Sequence, residues 1–280
     1  MYEIANKKIL NPTVTMMDIV ALLVAKKAQA GQFIILRTDE NGERIPLTVA
    51  GTDKENGTVK IIFQTVGATT EKLAHMNVGD SLADFAGPLG CPTKTDGVKK
   101  ACIVGGGVGC AIALPVAQKL HGEGCEVHSI IGFRSKELVI LEEEFKNASE
   151  KLTVMTDDGS YGEKGLVTEP LRKMLEDGER FDEIFVIGPL VMMKFVVETV
   201  RPYNIKTTVS MNPVMIDGTG MCGGCRLTVG GKVKFACVDG PDFDGFEVDF
   251  DEAIMRNTTY FEFERHAHED TCNLFNKEVQ

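Results

Sequence analysis

The chain has 280 residues, 43% of them hydrophobic and 25% charged, and its 41 acidic side chains outnumber 30 basic ones for a net charge of -11. That length accommodates two domains and a small appendage, and the carboxylate excess leaves no basic stripe for phosphate backbones, which excludes a nucleic-acid partner. The start, MYEIANKKIL, has neither an arginine-rich amphipathic face nor an apolar stretch with a cleavage site, and no later run approaches membrane-spanning length, so a cytoplasmic protein without a membrane partner is expected.

Residues 1–96 alternate apolar and polar positions in short runs, at 2–10, 14–23, 31–37, 45–51, 59–66 and 81–86, with Asn41-Gly42 and Asn56-Gly57 as turn signals. Short strands at that spacing predict a small antiparallel barrel or sandwich. Arg44-Ile45-Pro46-Leu47-Thr48 places a guanidinium, a rigid ring and a hydroxyl at one strand entrance. The stretch from Gln64 and Thr65 through Gly67 to Thr69 and Thr70 leads into a short helix at 71–75. Free amides and hydroxyls there suit a phosphorylated ligand, and equally suit a simple helix cap. Gly87-Pro88 closes the segment with a turn.

From residue 97 to 207, strands alternate with helices, the signature of a parallel sheet. A buried strand at 100–104 runs into Gly105-Gly106-Gly107-Val108-Gly109-Cys110 and then an apolar helix to Leu120. Strand, glycine turn and helix form a phosphate cradle, although Cys110 stands where the dinucleotide fingerprint has its third glycine or alanine. The next strand, at 126–133, ends in Arg134-Ser135-Lys136 rather than in a ribose-binding carboxylate, which leaves NAD and NADP both open. Strands at 151–156 and 183–187 end in Asp157 and in Gly188-Pro189, at the sheet edge where ligands bind in open α/β folds. Asp157 reads either as a ribose or carboxamide partner or as a turn residue, and Met192, on the following helix, either as core or as cofactor contact.

Residues 208–280 hold the densest chemistry. Asp217, Cys222, Cys225 and Cys237 form D-x4-C-x2-C-x11-C, with Gly218, Gly220, Gly223 and Gly224 interleaved. Thiolates are soft ligands for an iron-sulfur cluster or zinc, and the glycines let the backbone turn around such a core. Zinc is the bland reading, weakened because His266, His268 and Cys272 all lie far from ribbon spacing. Cys91, Cys102, Cys110, Cys125 and Cys272 read as small buried hydrophobes in a reducing compartment. Beyond the loop, the acidic run 247–252 reads as a solvated face, and Tyr260, Phe261 and Phe263 beside Glu262 and Glu264 as a strand or partner-facing strip.

This order of barrel, glycine-rich module and C-terminal D-x4-C-x2-C-x11-C resembles the ferredoxin-NADP reductase superfamily. Within it the chain is similar to the iron-sulfur electron-transfer subunits of the dihydroorotate dehydrogenase type and to the small subunits of flavin-based electron-bifurcating NADH-dependent ferredoxin:NADP oxidoreductases. The similarity covers essentially the whole chain and is most specific from Asp217 to Pro241. It implies an α/β plus β architecture: an antiparallel FAD-binding β-barrel (1–96), a Rossmann-like NAD module on a parallel sheet (97–207) and a small 2Fe-2S domain (208–280).

Carried onto this chain, the resemblance implies that Arg44, Pro46, Leu47 and Thr48 hold FAD, with its pyrophosphate against Thr69 and Thr70. Gly106, Gly107 and Gly109 meet NAD(H), with Gly188-Pro189 below the nicotinamide, and Asp217, Cys222, Cys225 and Cys237 ligate the 2Fe-2S cluster. Gln64, Thr65, Gly67, Gly87, Pro88, Val108, Arg134, Asp157 and Met192 complete the candidate cofactor-binding set, and no catalytic acid or base is required. Two departures matter. Arg44 stands one residue too early for the superfamily's R-x-x-S/T flavin motif, and Asp217 replaces the first cysteine of the dihydroorotate type, which favours the bifurcating subunits. The implied partner is a larger flavin and iron-sulfur subunit in a heterodimer. The alternatives are the dihydroorotate dehydrogenase electron-transfer subunit and, in another class, a non-catalytic zinc or iron-sulfur redox-sensing module.

Overall fold

The computed structural model describes residues 2–259 and residue 263. Its first sheet is antiparallel throughout and is built from β1 (Tyr2–Asn11), β2 (Val14–Val20), β3 (Phe33–Arg37), β4 (Ile45–Asp53), β5 (Thr58–Gln64), β6 (Ser81–Leu82) and β7 (Asp84–Leu89). The order is β6-β1-β2-β5-β4-β3-β7. Only Ala83 separates the two edge strands, so the sheet curls nearly closed and its edges meet. Alternate residues fill the interior, among them Met17, Ile19, Ile34, Leu36, Ile61 and Phe63. Two helices pack against this interior, α1 (Leu22–Lys27) through Val24 and Ala25, and α2 (Ala68–His75) through Leu73. The strand expected over 14–23 therefore ends at Val20, because Leu22-Leu23-Val24-Ala25-Lys26-Lys27 is rich in helix formers and turns two buried side chains inward.

The second sheet contains β8 (Lys100–Gly106), β9 (Glu126–Phe133), β10 (Lys151–Thr156), β11 (Glu163–Lys164), β12 (Glu183–Ile187) and β13 (Lys206–Ser210), all parallel to one another. Their crossovers carry α3 (Cys110–Gly122), α4 (Glu142–Asn147), α5 (Thr168–Glu176) and α6 (Leu190–Val200). The two sides of β8 enter different cores. Ala101 and Ile103 pack with α3 residues such as Ala113 and Val116, whereas Cys102 and Val104 pack with Leu171 of α5 and Val196 of α6. A strand covered on both faces has no polar side, which is why β8 and β12 read as nearly continuous apolar runs.

The last segment adds the hairpin β14 (Arg226–Val229) and β15 (Lys232–Phe235), then β16 (Asp242–Asp244), and ends its described part with α7 (Phe250–Asn257). β16 runs antiparallel to β13 and completes the edge of the second sheet. The acidic run 247–252 proves to be a helix start: Asp249 accepts from the Glu252 amide at 2.9 Å, and acidic side chains occupy the first turn of α7. Such a cap satisfies an orphan donor and complements the helix dipole. Of the strip expected over 260–264, only Phe263 is described. Among the described residues no helix is long and apolar enough to cross a membrane.

Shared cores bind the three segments. Val14, Ala50 and Ile62 of the barrel join the α3 core, while Phe33 and Ile35 join the core that holds Val186, Leu227, Ala236 and Phe250. Burial of each larger side chain, such as Val14, Ile62, Phe33 and Ile35, contributes roughly 1.5–3 kcal/mol, so the barrel is held against both the parallel sheet and the cysteine loop.

Candidate cofactor sites

The glycine turn after β8 has the close approach its sequence suggests. Gly107 sits at φ +56 in open space, and the turn passes into α3 at Cys110. Gly109 lies against the second glycine turn: an added Cβ would stand 2.7 Å from both the Gly188 Cα and the Ile187 carbonyl oxygen. Met192 packs across both turns, since a Cβ on Gly106 would fall 2.3 Å from its Sδ and one on Gly188 2.6 Å from its Cε. The cysteine in place of the third fingerprint glycine is accommodated by its neighbour. Cys110 is fully buried, and a Cβ on Gly105 would meet its Sγ at 2.9 Å, so Gly105 supplies the room. Burial pushes the Cys110 thiol far above its ordinary range, which keeps it unreactive.

Two adjoining cavities meet at this turn. A crevice of about 300 Å³ between barrel and sheet is lined by Gln64, by Gly106 to Gly109, and by Gly188 and Pro189. A larger one, about 620 Å³, extends past Asp157 and Met192 toward α5. Arg134 lines both. Sequence reasoning missed Asn11, Thr13, Ser210 and Asn212 in the crevice and Glu169 and Arg172 in the larger cavity. Ser210 ends β13 at the same sheet edge that pointed to Asp157, so that rule could have found it. Asn11 reaches the crevice from the barrel, where its Nδ2 donates to the Leu138 carbonyl at 3.1 Å.

The residues expected around FAD lie apart from these cavities, on the barrel. Pro46, Leu47 and Thr48 are half-buried on β4, paired to Ile35, Ile34 and Phe33 of β3, and Gly87 and Pro88 lie on β7. Thr65 and Gly67 lead into α2. The Thr70 hydroxyl accepts from the Val66 and Gly67 amides at 3.0 Å each, and the Thr69 hydroxyl donates to Glu43 at 2.9 Å. Arg44 turns to a different place altogether, the cysteine loop, where its Nε donates to the Ile216 carbonyl at 3.0 Å.

That loop assembles its donors as two neighbouring pairs. Cys225 and Cys237 are buried together, the Cys237 amide donating to the Cys225 sulfur at 3.4 Å. Burial first, and then the neighbouring sulfur, pushes the Cys237 thiol up. Cys222 is exposed, and the Gly224 amide, which donates to its sulfur at 3.4 Å, holds its thiol below the ordinary range. Asp217 neighbours Cys222, and its carboxylate accepts from the Thr219 hydroxyl and amide and from the Met221 amide, which hold its carboxyl below the usual range. Among the described residues no three of these side chains converge on one point, so the four-ligand convergence suggested by spacing is drawn as pairs along one loop. The donor chemistry still fits a cluster. Asp217, Cys222 and Cys225 share a short loop whose Gly218, Gly220 and Gly223 take positive φ, the β14–β15 hairpin returns Cys237 beside Cys225, and backbone amides already aim at sulfur. Of the scattered cysteines, Cys102, Cys110 and Cys125 are buried as expected, Cys91 is exposed instead because it lies in the loop that meets Val238 and Gly240, and Cys272 lies outside the described residues.

Comparison with known proteins agrees with this layout. Residues 212–249 match the iron-sulfur cluster binding domain of dihydroorotate dehydrogenase B. An uncharacterized protein in the adh 3' region of Clostridium beijerinckii is 50% identical over 93% of this chain and 90% of its own length. The dihydroorotate dehydrogenase B (NAD(+)), electron transfer subunit homolog of Thermotoga maritima is 45% identical over 88% of this chain and 86% of its own. A chain from the structure of an NADH-dependent reduced ferredoxin-NADP oxidoreductase, solved for insight into flavin-based electron bifurcation, is 41% identical and superposes with a TM-score of 0.92 over 96% of this chain and 97% of that one. Loop, fold and relatives together establish that the chain belongs to the family of dihydroorotate dehydrogenase B electron-transfer subunits and their homologues, oxidoreductase subunits of flavin and iron-sulfur electron transfer.

Proposed function

We propose that this chain is the small electron-transfer subunit of a flavin-based electron-bifurcating NADH-dependent ferredoxin:NADP oxidoreductase, using FAD, NAD(H) and a 2Fe-2S cluster and working in a heterodimer with a larger flavin and iron-sulfur subunit. The observation that carries this reading is the match in fold along 96% of the chain to a protein of that description. The carboxylate of Asp217 in place of the first cysteine of the dihydroorotate type points the same way.

When bound, the cofactors supply the redox chemistry: the nicotinamide exchanges two electrons, the cluster one, and the flavin joins the two. The chain's own residues bind and orient. Gly106, Gly107 and Gly109 let a pyrophosphate approach the α3 N-terminus, where unpaired amides and the helix dipole favour negative charge. Pro46, Leu47 and Thr48 offer the start of a stiff interior strand to the flavin, and Thr69 and Thr70 stand at the start of α2 for its pyrophosphate. Asp217, Cys222, Cys225 and Cys237 are the donors for the cluster.

A second reading, the electron-transfer subunit of a dihydroorotate dehydrogenase, is favoured by the name of the Thermotoga maritima homolog. Anaerobic purification from the native source separates the two by the larger polypeptide that copurifies. Absorbance of the purified chain shows flavin bands and an iron-sulfur shoulder on either reading, and dye reduction is faster with NADH than with NADPH on both. A colourless protein holding zinc would remove both, and a strong NADPH preference would overturn the nicotinamide assignment.

A further inference from the structure

Arg44 stands one residue ahead of β4, yet its side chain leaves the barrel. Its Nε donates to the Ile216 carbonyl at 3.0 Å and its Nη2 to the Asp217 carbonyl at 3.5 Å. A guanidinium presents its donors as a rigid fork, so two consecutive carbonyls fix the orientation of that peptide as well as its distance. The opposite end of the loop is also fastened to the barrel: past β7, the Cys91 amide donates to the Gly240 carbonyl at 2.7 Å and its thiol to the Val238 carbonyl at 3.3 Å. Between these ends Gly218 lies on the barrel itself, where an added Cβ would come within 2.9 Å of Leu89 and 3.0 Å of Ile35.

We infer that Arg44 is a positioning residue for electron transfer: it staples the cysteine loop to the start of the strand that carries Pro46, Leu47 and Thr48, and so sets the separation between flavin and cluster. The inference rests on the function proposed above. It also gives Arg44, which stands one residue off the superfamily's flavin motif, a role of its own: two of its five N–H donors go to Ile216 and Asp217.

The test uses Arg44→Ala and Arg44→Lys in the full chain with its copurifying partner, reading amide hydrogen exchange over residues 216–224, flavin content, and the rate at which NADH reduces the cluster. Arg44 is half-exposed, so both variants keep the fold. Loss of two charge-assisted hydrogen bonds speeds exchange in the loop by about tenfold in Arg44→Ala. Arg44→Lys, which keeps a single donor point, falls between, while flavin content stays at the wild-type level and cluster reduction slows more than flavin reduction. Wild-type exchange in both variants overturns the staple. Faster exchange with cluster reduction at the wild-type rate overturns the positioning role, and loss of flavin with unchanged exchange returns Arg44 to flavin binding. A wild-type protein without flavin or iron-sulfur absorbance instead defeats the proposed function, and the exchange data judge the staple separately.

Discussion

The contact between the two glycine turns gives the sharpest test of the nucleotide site. Gly109 has φ -58 and ψ -21, a conformation open to any residue, so Gly109→Ala carries no backbone strain and isolates the packing effect. Its Cβ would stand 2.7 Å from the Gly188 Cα, 2.7 Å from the Ile187 oxygen and 3.0 Å from the Gly188 nitrogen, all backbone atoms that no rotamer can move aside. Carbon atoms rest about 3.5–4.0 Å apart, so the start of α3 and the Gly188 turn must separate by roughly 1 Å. Overpacking of this kind costs about 1–3 kcal/mol, and alanine's helix preference offsets at most ~1 kcal/mol of it.

A net loss near 1.4 kcal/mol in the geometry that receives the nucleotide corresponds to about tenfold weaker binding. Gly107→Ala is the control for the unfolding arm alone, because Gly107 itself lines the crevice. It has open space around it but sits at φ +56, so it costs roughly 1 kcal/mol in strain without pushing the turns apart. Urea unfolding of both variants and NADH titration of Gly109→Ala make the comparison. Gly109→Ala binding NADH as tightly as the wild type and unfolding at the same urea concentration would show that the turns yield freely, and would refute the reasoning.

Three other outcomes are expected. Thr70→Ala removes the acceptor of the Val66 and Gly67 amides, costing about 1 kcal/mol at the start of α2 and weakening FAD retention severalfold; equal flavin content after dialysis would count against a pyrophosphate site there. Asp242 is held above the ordinary carboxyl range first by burial, with Thr93 and Ser210 opposing the shift. Its folded value therefore exceeds its unfolded one, and its contribution to stability is full below the unfolded value and lost as pH rises through the raised one. Asp242→Asn should accordingly gain on the wild type in urea unfolding as pH climbs above 3.8, and a constant difference across pH would contradict the shift. Cys225→Ser or removal of iron by a chelator should abolish the iron-sulfur absorbance and speed proteolysis within residues 212–249 while the flavin bands persist. Joint loss of both chromophores would mean that the loop and the barrel unfold together.

Much of the fold is legible where structure depends on chain neighbours. The runs at 100–106, 126–133, 151–156 and 183–187 are mostly buried and end in glycine or turn residues, so strand, turn and helix follow one another within a few positions. The segment Leu22 to Lys27 is ambiguous because a short apolar run satisfies either period, and packing of Val24 and Ala25 on the barrel settles it as helix. The acidic run before α7 reads as a solvated face until Asp249 is seen accepting from the Glu252 amide. Aspartate followed three residues later by glutamate was the available signal.

The candidate site divides along the same line. Spacing within the chain was enough to single out the C-x2-C-x11-C loop with its aspartate, the glycine turn before α3 and the alternation that builds the barrel, because ligand sets, tight turns and side-chain periodicity arise among residues close in sequence. Only the tertiary structure decided that Arg44 reaches a loop 172 positions away, that Cys91 is exposed beside it, that β16 completes the second sheet, and that Asn11, Ser210 and Asn212 face the glycine turn. Those outcomes depend on how separately formed elements pack against one another, and the enclosure of shared apolar cores, rather than any local pattern, sets that arrangement.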